Sequence, residues 1–384
     1  MKIVHASKFY PPVPGGIETV VKDLCDHTAG DWNVRVVAAN TEATTVTERQ
    51  GSVTVTRAAC VGRAHSVPLC PSLPLHLWRA NADCVILHEP NPIAGTTLFM
   101  RLPAPRLIVW HHSDLLRPRW APATYGRVQR ALYRRADCVV VSSPVLASES
   151  PLVRHARRVA VVPFGIRVDR FRQLDDRQRR LADSIRRQYS SPRVLFVGRL
   201  VYYKGLDILI DALASTPGTL MLAGEGPLDN DLRERAAARG VLDRVHFLGR
   251  IADGDLPAYY HAADLFALPS TARTETFGVV QVEAMAAGLP VISTDLPTGV
   301  PWVNQDGVSG IVVAPGDASA LAAALTRLAS DVELRAALGR NAARRAESMF
   351  GLDTMIERFR AIVEEAVRTP AWARGARPVK AGAQ

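Results

Sequence analysis

The chain has 384 residues and a formal net charge of +10, and 48% of its residues are hydrophobic while 22% are charged. These values are typical of a globular protein with two domains, and no apolar run reaches the roughly 18 residues of a membrane-spanning helix. The five cysteines are odd in number and have no CxxC spacing, which fits a reduced cytosolic protein and excludes a disulfide framework or a structural zinc site.

Short apolar runs alternate with segments of helical periodicity along the whole chain, and this alternation predicts parallel sheets with crossover helices. The strands predicted in the first half are Ile3–His5, Val34–Ala38, Cys84–His88, Leu107–Trp110, Cys138–Ser142 and Val159–Val162. Those predicted in the second half are Val194–Val197, Leu220–Ala223, Val245–Leu248, Leu265–Leu268, Val291–Ser293 and Ile311–Val313. A charged run separates the two series and predicts a linker near residues 165–190.

The two series of strands predict two doubly wound, Rossmann-like α/β domains, residues 1–168 and 190–350, whose strand ends face each other across a cleft. Helical periodicity over Leu352–Val367 predicts a helix, residues 351–368, that could cross back to the first domain. The small and basic residues that follow, 369–384, predict a disordered tail.

Two segments at strand ends of the first domain are candidates for ligand contact. Gly16 follows the first strand and opens a helix, so its backbone could approach a ligand, although a plain tight turn fits equally well. The surrounding Pro14-Gly15-Gly16 lacks the GxGxxG spacing of NAD-binding enzymes. Trp110-His111-His112-Ser113-Asp114 ends a buried strand. One imidazole there could bond a substrate hydroxyl while the other faces the core, and metal ligation by the pair is the alternative.

Three strand ends of the second domain carry further candidates. Arg199 and Lys204 follow the first strand and could clamp a diphosphate, although surface cations on a loop are the plainer interpretation. Gly224 lies in a tight turn that fits a structural turn and a ligand loop equally well. Arg250 and Ile251 follow the next strand, where their backbone could meet a base edge.

The segment ETFGVVQVEAMAAGLP, residues 275–290, is the most informative part of the chain. Glu275 lies in a predicted loop, Phe277-Gly278 opens a helix, and Glu283 lies inside that helix. A helix start has unpaired N–H groups that suit a diphosphate, and two nearby carboxylates can accept hydrogen bonds from ribose and sugar hydroxyls. A glutamate pair is usually a solvated surface, but this helix is nearly all apolar, so Glu283 needs a partner or a ligand.

The net positive charge of the chain is compatible with binding to nucleic acid, to an anionic membrane surface or to a phosphorylated substrate. The arginines are spread out and form no nucleic-acid-binding motif, so no nucleic acid is expected as a partner. A generally basic solvated surface and a membrane-facing patch both remain open.

Taken together, these segments resemble the retaining glycosyltransferases of the GT-B fold, the large family four. The resemblance runs nearly end to end through the Gly-Gly loop, WHHSD, PFGI, FVGRLVYYKG, AGEGPL, FLGR, the 275–290 segment and PTGVPWVNQDGVSG. FVGRLVYYKG, HSD and PTGVPWVN are most similar to bacterial mannosyl- and rhamnosyltransferases of surface-polysaccharide assembly.

The resemblance implies roles for residues of the second domain. Arg199 and Lys204 match the pair that neutralises the donor diphosphate, and Glu283 matches the glutamate that binds the ribose. Glu275 matches the glutamate that holds hydroxyls of the donor sugar, close to the backbone amides of the Phe277-Gly278-Val279 segment. Gly224, Arg250 and Ile251 are expected to contact the donor nucleotide.

In the first domain the resemblance implies that Gly16 approaches the donor phosphates and that His112, not His111, lies near the transferred sugar. Asp114 receives no role. Glu89 stands where relatives often carry an apolar or aromatic residue, a difference that could bear on acceptor choice.

The implied activity is transfer of a hexose, mannose or rhamnose, from a nucleoside diphosphate sugar to a polysaccharide or lipid-linked glycan with retention of configuration. GDP-mannose or GDP-rhamnose is the expected donor, and neither a metal nor another cofactor is expected. The alternatives are a UDP-sugar-dependent transferase, a GT-B epimerase or phosphorylase, and a nucleotide-sugar-binding protein without transfer activity. Together with the net positive charge of the chain, the resemblance implies a cytoplasmic enzyme that works at the inner face of the membrane.

Overall fold

The computed structural model describes residues 1–13, 15–64, 67–100, 106–114 and 121–368, without the side chains of 121–124. The predicted tail, 369–384, lies outside the described residues. The chain divides into two compact units. The first comprises Met1–Pro163 together with the chain from Met355 onward, and the second comprises Phe164–Thr354.

The first unit is built on ten strands and five helices of the described residues before Phe164. The strands are β1 (Lys2–Ala6), β2 (Asn33–Ala39), β3 (Val46–Gln50), β4 (Val53–Ala58), β5 (Arg63–Ala64), β6 (Val67–Pro68), β7 (Cys84–Glu89), β8 (Arg106–His111), β9 (Cys138–Val141) and β10 (Val159–Val161). The helices are α1 (Gly16–Thr28), α2 (Leu73–Arg79), α3 (Pro92–Met100), α4 (Ala121–Arg135) and α5 (Pro144–Glu149).

The main sheet of this unit has eight strands in the order β10-β9-β8-β7-β1-β2-β4-β3. All pairs are parallel except β3 with β4. The chain passes from β1 to β2 on one side and later returns to β7 on the other side. The carboxyl ends of β1 and β7 therefore border a topological switch point, where ligands of doubly wound sheets bind.

Burial explains why the central strands were predictable. All six residues of β7, Cys84–Glu89, are buried, as expected of a parallel strand covered on both faces. The six predicted strands of the first half match β1, β2, β7, β8, β9 and β10. The small hairpin β5-β6 and the pair β3 and β4 were not predicted.

The second unit contains six strands, all parallel, in the order β13-β12-β11-β14-β15-β16. They are β11 (Arg193–Val197), β12 (Thr219–Ala223), β13 (Val245–Gly249), β14 (Leu265–Leu268), β15 (Val291–Thr294) and β16 (Gly310–Val313). All six match predicted strands. Its switch point lies between β11 and β14, because the chain continues from β11 to β12 on one side and reaches β14 on the other.

Nine further helices follow β10 in the described chain, together with a final helix that ends in the first unit. They are α6 (Val168–Arg172), α7 (Asp176–Gln188), α8 (Leu206–Leu213), α9 (Asp229–Ala238), α10 (Leu256–Ala262), α11 (Val279–Ala286), α12 (Val300–Val303), α13 (Ala318–Ser330), α14 (Val332–Met349) and the final α15 (Leu352–Arg368). No helix in the described parts of the chain is both long enough and apolar enough to cross a bilayer.

The prediction of a linker near residues 165–190 is wrong. The segment forms α6 and α7 and belongs to the second unit. Helix α7 begins with a capping box, in which the Gln178 amide donates to Asp175 Oδ1 at 2.7 Å and the Asp175 amide donates to Gln178 Oε1 at 3.0 Å. Only Ala182 and Ile185 of α7 are buried, so its apolar stripe is narrow and its composition resembles that of a solvated linker.

Candidate functional site

In the second unit, an ion pair joins two of the predicted site residues. Lys204 follows β11 and Glu275 follows β14, the two strands that border the switch point. Lys204 Nζ lies 2.5 Å from Glu275 Oε2, and the Ser270 hydroxyl donates to the same oxygen at 3.0 Å. Each member of the ion pair is 8% exposed. The structure therefore brings together a cation predicted to bind diphosphate and a carboxylate predicted to bind the sugar.

Burial makes the pair interdependent. A buried charge that loses its partner is strongly destabilising, whereas a paired and hydrogen-bonded one is tolerated. Both described hydrogen bonds to Glu275 use Oε2, so the charge of the carboxylate is held in place through one oxygen. The ion pair thus forms a fixed polar element at the carboxyl ends of β11 and β14.

Arg199 differs from Lys204 in its surroundings. It is exposed, and within the described chain its side chain makes no hydrogen bond or ion pair. A cation with no protein partner at a strand end is available for an anionic ligand. It does not contribute to the fold in the way that the Lys204–Glu275 pair does.

The start of α11 has the geometry that the sequence predicts. Gly278 caps the helix with φ of 71° and ψ of 65°, a left-handed conformation that favours glycine. A Cβ at this position would lie 2.5 Å from Leu268 Cδ2. No side chain caps the helix start, so the first amides, beginning near Val279, are free of side-chain acceptors. The Phe277 ring is only 1% exposed and packs 5.1 Å from the ring of Phe164, so only its backbone could meet a donor.

Glu283 lies within α11 and is partly buried. The Tyr260 hydroxyl donates to Glu283 Oε2 at 2.8 Å. Burial raises the pKa of Glu283 to about 7, while the Tyr260 hydrogen bond and the positive charge of Arg170 oppose this shift. The predicted need for a partner is met by Tyr260, and the carboxyl group titrates near neutral pH.

The remaining donor candidates lie at the ends of β12 and β13. Gly224 has φ of 144°, and a Cβ there would lie 2.0 Å from the Gly198 carbonyl oxygen. Its amide donates to the Gly249 carbonyl at 2.8 Å. Close packing of neighbouring strand ends therefore explains this glycine. Arg250 is exposed and Ile251 is half-buried.

In the first unit, Gly16 is exposed at the start of α1, and nothing lies within 4 Å of a Cβ built on it. This open position leaves room for a ligand beside the helix start. The described structure does not itself require a glycine there.

His112, in contrast, is buried among aromatic rings. Its Nε2 lies 3.0 Å from His88 Nδ1, and His88 Nε2 lies 3.0 Å from His5 Nδ1. The rings stack with centroids 5.3 Å apart at both steps. Trp110 stacks on His112 at 5.9 Å with an interplanar angle of 7°. Sequence reasoning missed His5 and His88, although both stand near the carboxyl ends of predicted neighbouring strands.

His111 faces a different set of partners, as predicted for adjacent residues of a strand. Its Nδ1 lies 2.7 Å from the Tyr133 hydroxyl, and its Nε2 lies 3.6 Å from Asp114 Oδ1. Asp114 also accepts a hydrogen bond of 2.7 Å from the Ser150 hydroxyl. Burial lowers the pKa of His111 to about 4, with Asp114 acting in the opposite direction. His111 and Asp114 thus form a local network that connects β8 to Ser150, the residue that follows α5.

Glu89 is a buried carboxyl group at the end of β7. It is 1% exposed and accepts 2.7 Å hydrogen bonds from the Tyr125 hydroxyl and the Gln129 amide. Burial raises its pKa, and these two hydrogen bonds oppose the shift. In the structure Glu89 therefore connects β7 to α4.

Among the described residues, no group of three or more His, Cys, Asp or Glu side chains could hold a metal ion. The three histidines meet in a line of hydrogen bonds and do not converge on one point, as the ligands of a metal would.

Comparisons with known proteins agree with this geometry. A family model described as a glycosyl transferase 4-like domain matches residues 15–165, and one described as glycosyl transferases group 1 matches residues 178–345. The O-antigen chain mannosyltransferase C of Escherichia coli is 30% identical over 369 residues, which cover 94% of this chain and 97% of that protein. The D-rhamnosyltransferase WbpZ of Pseudomonas aeruginosa is 32% identical over 357 residues, 91% of this chain and 92% of that protein.

Solved structures show the same fold. Sucrose-phosphate synthase from Thermosynechococcus elongatus superposes with a TM-score of 0.77 at 24% identity and covers 94% of this chain and 98% of that one. The structure of Anabaena HepE in complex with UDP superposes with a TM-score of 0.76 at 24% identity, and the match covers 95% of this chain and 100% of that one. The predicted GT-B fold is confirmed. The chain belongs to the glycosyltransferases, with a glycosyl transferase 4-like domain followed by a group 1 domain.

Proposed function

We propose that this glycosyltransferase moves a hexose from a nucleoside diphosphate sugar to a lipid-linked glycan or polysaccharide, with retention of anomeric configuration. The observation that carries the proposal is the buried Lys204–Glu275 pair at the switch point of the second unit. Ligands of doubly wound sheets bind at such points. A cation and a carboxylate held side by side suit a ligand in which a diphosphate adjoins sugar hydroxyls.

The donor diphosphate would be bound by positive charge from several directions. Arg199 is exposed and unpaired among the described residues, and the first amides of α11 have no side-chain cap. Lys204 adds a third positive group whose position is fixed by Glu275. Preorganised charges of this kind stabilise a leaving nucleoside diphosphate as negative charge develops. We therefore propose that the reaction needs no metal ion.

The nucleoside would be bound through its ribose by Glu283. A carboxylate can accept one hydrogen bond at each oxygen from the two ribose hydroxyls. The Tyr260 hydroxyl already donates to Oε2 and orients the group. In the same way, Glu275 would bind hydroxyls of the transferred sugar.

We expect GDP-mannose or GDP-rhamnose as the donor. The two relatives above are an O-antigen chain mannosyltransferase and a D-rhamnosyltransferase, and this supports the expectation. The test is incubation of the full chain with a panel of GDP- and UDP-sugars, scored for release of nucleoside diphosphate, with Glu275→Gln as the inactive control. Release from UDP-sugars alone would overturn the choice of GDP.

We also propose that the enzyme works at the inner face of the membrane. On the first unit, Arg130 and Arg134 lie one helical turn apart on α4, and the short segment Val153–His155, which contains Arg154, packs against this helix. Helices α2 and α3 pack against each other and carry exposed apolar side chains, among them Leu75 at 43% and Phe99 at 45% exposure. Helix α4, which contains two of these arginines, packs against α3. Cations attract an anionic bilayer surface and exposed apolar side chains can insert into it.

Vesicle binding tests this location. We expect the chain to bind vesicles that contain anionic lipid, to release them as salt rises, and to bind less when Arg130, Arg134 and Arg154 are replaced by glutamine. Replacement of Arg180, Arg187 and Arg340, three exposed arginines of the second unit, by glutamine is the control for net charge. Equal loss in both variants would show that no specific patch is involved.

A further inference from the structure

The side chain of Gln281 is fully buried in α11, although its neighbours in the helix are apolar. Gln281 is 0% exposed, as are Val282 and Met285. A buried amide lowers the stability of a fold unless its polar atoms are hydrogen-bonded. The partners of Gln281 therefore indicate why a glutamine lies here.

The side-chain nitrogen of Gln281 donates to two backbone carbonyl oxygens. Nε2 lies 2.5 Å from the oxygen of Phe277 and 3.3 Å from that of Val300, the first residue of α12. Oε1 is buried without a hydrogen-bond partner among the described residues. The reverse orientation of the amide would place its oxygen against two carbonyl oxygens and leave its nitrogen without an acceptor. The contacts therefore determine that the nitrogen faces Phe277.

Three consecutive peptide groups before α11 are held through their carbonyl oxygens. The Thr276 carbonyl accepts a hydrogen bond from the Gly299 amide at 2.8 Å, and the Gly278 carbonyl accepts one from the Gln281 amide at 2.9 Å. Between them, the Phe277 carbonyl accepts from the Gln281 side chain. Gln281 thus holds two of the three peptide groups, one through its backbone and one through its side chain.

The direction of each carbonyl also sets the direction of the N–H group in the same peptide plane. These peptide bonds are trans, because the cis bonds of the described chain all precede proline, and in a trans peptide the N–H points opposite to the C=O. The N–H groups of Phe277, Gly278 and Val279 therefore point away from the atoms that hold the carbonyls. None of the three donates to an acceptor within the described residues, so they are available to an anion.

The peptide between Phe277 and Gly278 depends most directly on the Gln281 side chain. Phe277 is 1% exposed, and its carbonyl oxygen has no other donor in the part of the chain that the structure describes. Without Nε2 this buried carbonyl would lose its partner, which favours rotation of the peptide toward another donor. The side chain also packs beneath Gly278, where a Cβ would lie 3.2 Å from Gln281 Nε2.

We propose that Gln281 is a positioning residue for the donor diphosphate, because its side chain holds the Phe277–Gly278 peptide with the Gly278 N–H directed toward the ligand. Gln281 acts through the backbone and does not touch the donor. The functional part of this inference rests on the proposed function, in which the amides at the start of α11 bind the diphosphate. The hydrogen bond from Gln281 to Phe277 does not depend on that function.

NMR of the full chain tests the hydrogen bond and the direction of the amide separately. Labelling with ¹³C-carbonyl phenylalanine and ¹⁵N-glycine selects the Phe-Gly peptides, which begin at Phe164, Phe277 and Phe350. Without ligand, Gln281→Met should shift the Phe277 carbonyl signal and leave the other two in place; an unmoved Phe277 signal would overturn the contact. Added GDP should move the Gly278 amide proton of the wild type downfield, and less so that of Gln281→Met.

Binding measurements test the positioning role. Gln281→Met keeps the length of the side chain but removes the donor, so affinity for GDP should fall by about 3- to 10-fold, as expected when one hydrogen bond to a charged group loses half its strength. Affinity for guanosine, which has no phosphate, should not change. In Gln281→Glu a protonated carboxyl group can still donate to Phe277, so at pH 6 this variant should bind GDP more tightly than Gln281→Met. UDP and uridine replace GDP and guanosine if the wild type prefers UDP.

Val282→Ala is the matched control for packing, because Val282 is the next residue of α11 and is equally buried but apolar. It should lower the melting temperature and leave the ratio of GDP affinity to guanosine affinity unchanged. If Val282→Ala changes that ratio as Gln281→Met does, or if Gln281→Glu is no better than Gln281→Met at pH 6, the positioning role is refuted. If the wild type binds no nucleoside diphosphate while the Phe277 carbonyl responds to Gln281→Met, the proposed function and the positioning role fail together and only the hydrogen bond stands.

Discussion

The pH dependence of nucleotide binding should be set by Glu283 and tuned by Tyr260. The pKa of Glu283 is about 7, so about half of the carboxyl groups are ionised at neutral pH. Only the ionised form can accept a ribose hydroxyl at one oxygen while it keeps the Tyr260 bond at the other. Affinity for a nucleoside diphosphate should therefore rise with pH and level off above about 8.

Tyr260→Phe removes the 2.8 Å hydrogen bond to Glu283 Oε2. A hydrogen bond to a charged group contributes about 1.5 to 3 kcal/mol and one to a neutral group about 0.5 to 1.5, so the ionised form loses about 1 to 1.5 kcal/mol more. This difference corresponds to about one pKa unit. The midpoint should move from about 7 to about 8, and the ionised fraction at pH 7 should fall by about 5-fold, as should affinity.

Calorimetric titration with GDP and UDP between pH 6 and pH 9 measures the effect. Tyr259→Phe is the matched control, because Tyr259 is the preceding residue of α10 and its hydroxyl makes no described bond to Glu283. The nucleotide itself ionises in the same way in the titrations of both variants. The difference between their pH profiles of affinity therefore reports the ionisation of the protein alone. A Tyr260→Phe profile that coincides with that of Tyr259→Phe would refute the assignment of Glu283 to the ribose.

Four further outcomes follow from the second unit. Folding raises the pKa of Glu283 from 4.5 to about 7, so the free energy of unfolding falls as pH rises between these two values. Glu283→Gln removes this effect and should stabilise the chain at pH 8 by up to about 3 kcal/mol, measured by denaturant titration. The same substitution should weaken nucleotide binding. Arg199→Ala should lower turnover by about 10- to 100-fold at an unchanged melting temperature, because it removes a charge-assisted bond of about 1.5 to 3 kcal/mol to the ligand alone. Lys204→Ala should also destabilise the chain by about 3 to 5 kcal/mol, since it leaves Glu275 buried without its cation; an unchanged melting temperature would contradict the burial of the pair. Turnover should persist in EDTA, and a complete loss that Mn²⁺ or Mg²⁺ reverses would refute the proposal of a metal-free reaction.

The strands were predictable where burial imposes a continuous apolar run. The sequence of β7, CVILHE, is buried throughout, and this pattern is distinctive. Strand β3 has the sequence VTERQ and no fully buried residue, because it is an antiparallel strand at the edge of its sheet. Its side chains face solvent, so the pattern that marks a strand was absent. Helix α7 was not predicted for a similar reason. Only two of its residues are buried, so the sequence shows too few apolar positions to indicate an amphipathic helix.

The sequence was sufficient to identify individual candidate site residues, but not to predict which of them contact one another. The spacing around Lys204 and around Glu275 pointed to each residue, yet the bond between them joins positions 71 residues apart. The order of strands in the sheet creates this contact, and local sequence does not contain that order. The same applies to His5, which lies 83 residues before its partner His88. Each looks like an ordinary polar residue near a strand end until the sheet places them side by side.

Helix α15 has a consequence for the order in which the two units can fold during synthesis. Phe359 of α15 packs against His5, Trp32 and Trp110, and Arg360 bonds to Asp31. The first unit therefore lacks part of its core until the ribosome has synthesised α15. The second unit, Phe164–Thr354, is continuous in sequence and can complete its core earlier. We expect the nascent chain to expose the aromatic surface around Trp110 until α15 has been synthesised, so the unit whose synthesis begins first completes its core after the second unit.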